Sequence, residues 1–128
     1  MEYYYSKVLT TSFDEAIQKA TDALKAEGFG IISDIDIRSK LHEKLGVEFK
    51  RYRILGACNP GFAFQALQSE DKIGTMLPCN VTVIDQGEGM VEIAAVNPIA
   101  SMMAIQNEAL VPVAAEVSLR LQKVINSL

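Results

Sequence analysis

Two cysteines stand in near-repeated strings, Leu55-Gly56-Ala57-Cys58-Asn59-Pro60 and Leu77-Pro78-Cys79-Asn80-Val81, and a third string, Val96-Asn97-Pro98, repeats the Asn-Pro step without sulfur. A thiol placed just before a helix sits in the positive potential of the helix start, which favours the thiolate and makes it a nucleophile or a metal ligand. The Asn59 and Asn80 amides would add polar donors beside the two sulfurs. The same residues also serve structure alone, because free cysteine packs as a small hydrophobe, asparagine caps helices and proline suits the first helical position. The candidate ligand-binding set is therefore Cys58, Asn59, Pro60, Cys79, Asn80 and Asn97.

No metal site is expected. Structural zinc needs four Cys or His ligands at short spacings, whereas these two cysteines lie twenty-one positions apart and the single histidine, His42, sits on a charged segment. Asp34 and Asp36 share one strand parity facing solvent, and Glu15 has a capping role, so no acid/base pair emerges. Gly87-Glu88-Gly89 lacks the lysine and helix of a phosphate loop and reads as a hairpin turn. The sequence names no cofactor.

These residues need elements to position them. Tyr3 to Thr10, rich in aromatic and β-branched types, predicts a strand. Ser12 with Glu15 forms a capping box for a helix whose stripe is Phe13, Ile17, Ala20 and Leu24, closed by Gly28. Alternation from Phe29 to Ile37 predicts a half-buried strand with Ile31, Ile35 and Ile37 inward. Arg38 to Leu45 reads as a short helix ending at Gly46.

Lys50 to Cys58 predicts a strand with Tyr52, Ile54, Gly56 and Cys58 on its core face. Asn59-Pro60 then starts a helix to Gln68, with Asn59 expected as its side-chain cap, and Ser69 to Thr75 is read as a polar connection. Leu77 to Asp85 and Met90 to Val96 form a hairpin that places Cys79, Val81 and Val83, and likewise Val91, Ile93 and Ala95, toward the core. Asn97-Pro98 caps a helical turn through Met102 and Met103. A long helix follows over roughly Asn107 to Ser127, with Pro112 in its first turn.

The 128 residues are read as one domain, 1–128. The order predicts an α+β two-layer sandwich: a curved antiparallel sheet covered on one face by two main helices, of β-α-β4-α type, with short extra helices. A net charge of −4 with scattered Lys and Arg argues against a nucleic-acid partner. The N-terminus lacks a basic, apolar export signal, and the most apolar region is broken by charges and prolines, so a cytoplasmic, non-membrane protein with free thiols is expected.

The strings Tyr52-Arg53-Ile54-Leu55-Gly56-Ala57-Cys58-Asn59-Pro60 and Leu77-Pro78-Cys79-Asn80-Val81, with Leu45-Gly46-Val47, Phe49, Ala66-Leu67, Gly74 and Asn97-Pro98, resemble the family known as domain of unknown function number 302. That resemblance implies a TATA-binding-protein-like fold class and members that pair as dimers. It implies no activity, and the fold name carries no DNA binding with it. Together these observations favour a homodimer that binds a small-molecule ligand or a partner, with the outer members of Tyr3-Tyr4-Tyr5 at the subunit interface. The alternative is a thiol-dependent redox or metal-handling protein using Cys58 and Cys79.

Overall fold

The computed structural model describes residues 1–128. Five strands, β1 (Tyr4–Thr10), β2 (Gly30–Asp36), β3 (Tyr52–Cys58), β4 (Cys79–Gly87) and β5 (Met90–Val96), form one antiparallel sheet in the order β1-β5-β4-β3-β2. The helices are α1 (Phe13–Ala26), α2 (Ile37–Leu45), α3 (Pro60–Ser69), α4 (Pro98–Ser101) and α5 (Leu110–Asn126). The expected α+β sandwich is the one observed: α1 and α5 lie against each other and on one face of the sheet, and its other face carries no helix.

Local chemistry sets the element ends. Ser12 Oγ accepts from the Glu15 amide at 3.1 Å, which is one half of the capping box, while the Glu15 carboxylate accepts from Thr11 Oγ1 at 2.8 Å in place of the Ser12 amide. At the far end of α1 the Gly28 amide donates to Lys25 O and the Phe29 amide to Leu24 O, a Schellman closure that needs Gly28 at φ +87°. Phe29 and Leu24 are both buried, adding the apolar contact typical of this motif. The β4–β5 hairpin turns through Glu88 and Gly89, both at positive φ, as a two-residue connection demands.

The core lies between α1, α5 and the three central strands. Val81, Val83, Ile93, Leu24 and Leu121 are fully buried there, each contributing about 1.5–3 kcal/mol by the usual transfer estimate. A smaller cluster of Ala66, Ile73 and Leu110 packs at one end, beneath α3 and the start of α5.

Four expectations need correction. The facing of β3 is reversed: Leu55 and Ala57 enter the core, while Tyr52, Ile54 and Gly56 belong to the helix-free face. Arg53 misled because it shares the parity of Leu55 yet lies beyond the helical cover, where it donates two hydrogen bonds to Asp34. That contact holds the Asp34 carboxyl below its usual value. Cys58 is accordingly not on a core parity but half-buried at the strand end.

β2 is an exposed edge strand rather than a half-buried one, and a bulge between Ile31 and Ser33 breaks its alternation. Ile37 opens α2, capped by the Asp36 carboxylate on the Ser39 amide. Asp71–Met76 forms a 3-10 turn instead of an irregular connection, and it buries Ile73 completely. α5 begins at Leu110, three residues later than expected, because Asn107 Oδ1 accepts from the Ala109 amide and makes a separate turn first.

Candidate functional site

Where β3 ends and β4 begins, Ala57 pairs directly with Cys79 across the sheet. α3, α4 and α5 close over this corner without filling it, since five of the positions facing the gap are small: Ala57, Ala63, Ala66, Gly74 and Ala114. The result is a cavity of about 350 Å³ that opens to solvent, with fourteen hydrophobic residues among its eighteen lining residues and no charged side chain. An enclosed void of this size would cost on the order of 8 kcal/mol at ~24 cal/mol per Å³, as much as many domains' whole stability. Such a gap persists in a small domain because water or a ligand can enter it.

The candidate residues separate into four environments. Cys58, Asn59 and Cys79 line the cavity together. Pro60 is the exposed first residue of α3 and does not reach it. Asn80 points to the opposite, helix-free face of the sheet and lines a shallow trough there. Asn97 is 5 % exposed and lies under the cavity wall formed by its neighbour Pro98.

The two Asn-Pro steps are not equivalent. Asn97 Oδ1 accepts from the Ile99 amide at 3.1 Å and from Ser118 Oγ at 2.9 Å, while its Nδ2 donates to Glu2 O at 3.0 Å. Because Ser118 spends its proton on Asn97, the Tyr5 hydroxyl donates to Ser118 Oγ and completes a buried network joining β1, α4 and α5. Asn59 makes no side-chain cap bond, contrary to expectation. Its Nδ2 turns away toward Glu27 O, with a long 3.5 Å contact, and its Oδ1 has no partner within the chain. Beside it, the Arg120 guanidinium stacks on Phe62 at 5.1 Å from the ring centroid and also donates to Glu27 O.

Burial pushes the Cys79 thiol up to about 11, the neighbouring Cys58 adding to the effect. Cys79 is thus a packed thiol, not an activated one. The folded state holds this proton to about 11 while the unfolded chain releases it near 9.0, so the thiol's stabilising contribution is complete below about pH 9 and is lost as pH rises to about 11. Native protein at pH 8 is expected to take up one equivalent of iodoacetamide, at half-buried Cys58, and a second only on unfolding. Peptide mapping of the adducts checks this.

Sequence reasoning located the cysteines and Asn59 but not Phe62, Leu67 or Ile32, which supply much of the wall. Helical spacing marks such residues only as apolar. The signal available was the recurrence of Ala and Gly at Ala57, Ala63, Ala66, Gly74 and Ala114, residues too small to close a corner between three helices.

The family model described as "Domain of unknown function DUF302" matches residues 5–128. The chain belongs to the DUF302 family. A crystal structure of an uncharacterized conserved DUF302 protein from Bacillus stearothermophilus is 30 % identical, covers 98 % of both chains and superposes with a TM-score of 0.89. No curated protein matches the chain. No helix of this DUF302 chain is long and apolar enough to cross a membrane.

Proposed function

We propose that this chain acts as a homodimeric binding protein for a small, largely apolar molecule held in the cavity beside Cys58, Asn59 and Cys79. The observation that carries this is the cavity itself: its volume of about 350 Å³ lies within the range of ligand pockets, and its wall is apolar with Asn59 as the one amide on it. The unpartnered Asn59 Oδ1 offers a hydrogen bond that would orient such a guest.

The pairing is supported by exposed apolar side chains around the mouth. Ile32 on β2 is 65 % exposed and Leu67 on α3 45 %, and both line the cavity. Apolar side chains gathered at one rim mark interaction surfaces, and a second copy over the rim would close the mouth. Sedimentation at micromolar concentration is expected to give twice the 14.0 kDa chain mass; a clean monomer removes the pairing.

Titration with the apolar dye phenylnaphthylamine tests the binding function. Saturable fluorescence enhancement is expected, and Ala63→Phe, which places a ring in the cavity, should weaken it by about tenfold or more, equivalent to about 1.4 kcal/mol. Equal binding by both proteins would overturn the assignment.

One observation favours a thiol-based role instead, namely that both cysteines line the same cavity. Its test is oxidation of native protein: a Cys58–Cys79 bridge formed and reduced reversibly would support it, and a thiol count unchanged by oxidant would sink it.

A further inference from the structure

Asn80 is left without a role by the cavity, and its position on the helix-free face leads to a second site. There the sheet forms a trough of about 360 Å³ lined by Tyr3 and Tyr4 at the β1 end and by Tyr52 and Ile84 at the other. Register explains its shape. Thr82 on β4 sits directly opposite Ala94 on β5, and these small side chains make a low floor between taller rows. One step along, Glu92 sits opposite Ile84, which in turn is opposite Tyr52. Tyr4 and Tyr52 lie three strands apart, about 14 Å across the sheet at the usual strand spacing. They are further offset along the strands because Tyr4 is level with Gly56, so the trough runs diagonally and suits an elongated guest.

Its charge is one-sided. Glu92 is the only charged residue on the trough, and no lysine, arginine or histidine pairs with it. Its single side-chain partner is the exposed Gln86 amide, which donates to Oε1 at 3.0 Å and leaves Oε2 free. The Asn80 amide and the Tyr4 and Tyr52 hydroxyls make no hydrogen bonds within the chain. An apolar cover would strip water from this carboxylate without neutralising it, at a cost of several kcal/mol by the usual estimate. A cation removes that penalty, and tyrosine faces attract cations further.

We infer that the helix-free face of the sheet carries a binding site for an elongated organic ammonium compound, with Glu92 as counter-charge, the Tyr52 ring beside the cationic head and the tail lying over Thr82 and Ala94 toward Tyr4. The site is separate from the apolar cavity, which lies on the helical side of the sheet.

Amide NMR of the full chain titrated with hexyltrimethylammonium tests it, with hexanol as the uncharged counterpart. The ammonium compound is expected to shift the amides of Tyr52, Thr82, Glu92 and Ala94, and to bind there about tenfold more tightly than hexanol. Glu92→Gln keeps the size and the Gln86 contact and should abolish that preference, while Tyr52→Leu should weaken binding several-fold. Absence of shifts at these amides, equal binding of hexanol there, or unchanged binding by Glu92→Gln would each overturn the site. So would shifts at the same amides on simple dilution, which would show that a second copy covers the face.

Discussion

Asn97→Ala is expected to lower the unfolding free energy by about 3 kcal/mol, whereas Asn59→Ala should cost less than about 0.5 kcal/mol, although both residues begin an Asn-Pro step. Asn97 is buried and joined to Ile99, Ser118 and Glu2, so its removal leaves the Ile99 amide and the Ser118 proton without their acceptor and the Glu2 carbonyl without its donor, while Tyr5 keeps its contact with Ser118 Oγ. Each unmet group in a low-dielectric setting costs on the order of 1–3 kcal/mol, and the shared network makes the losses interdependent. Asn59 caps nothing, and its only bond is the long one to Glu27 O. Denaturant titration of the two variants checks the contrast; equal losses would show that the networks at the two sites are comparable after all. Asn59→Ala should instead register in ligand affinity.

Gly56→Ala is expected to cost about 1–3 kcal/mol, the usual range for overpacking a filled site, or roughly 4 °C of melting temperature per kcal/mol in a domain of this size. A Cβ at this position would stand 2.1 Å from Ser33 Oγ and 2.7 Å from Pro78 Cγ. Rotation of the serine hydroxyl can relieve the first contact. The proline ring, carried by the segment that leads into Cys79, has less freedom, so the strain passes to the cavity wall. Ser33→Gly in the Gly56→Ala background should restore part of the loss but not all of it. A thermal curve unchanged by Gly56→Ala would contradict the close approach of β2 and the Pro78 segment to β3.

Much of the fold was legible because short-range chemistry decides it. The Ser12 cap, Gly28 after the α1 stripe, and the Glu88-Gly89 turn each specify one local geometry, and each occurs as expected. The β4–β5 hairpin was readable because Asn80, Thr82 and Glu92 mark the parity opposite to Val81, Val83, Val91 and Ile93, and a Gly-rich turn joins the two runs. β3 was not, since Ile54, Leu55, Ala57 and Cys58 are apolar at both parities and only Arg51 and Arg53 broke the tie. That tie-break fails at a sheet corner, where Arg53 reaches solvent and Asp34 from the core-facing side. β2 deceived for another reason: a bulge shifts its parity midway, and the sequence Ile31-Ile32-Ser33 carries no mark of it.

The site was half legible. Its thiols were evident as unusual residues, but grouping Asn80 with them assumed that neighbours in sequence share a face, and in a strand they point to opposite ones. The cavity depends on missing volume between α3, α4 and α5, and absence of volume becomes visible only when the helices are placed.

Methyl NMR of the native protein with and without saturating phenylnaphthylamine addresses the central claim most directly. Shifts concentrated at Leu67, Met102, Val113 and Val117, which line the cavity, with Val8 and Val47 unmoved, are the predicted result. Shifts confined to Met103 and Val111 on the outer surface, or spread evenly over exposed methyls, would contradict it.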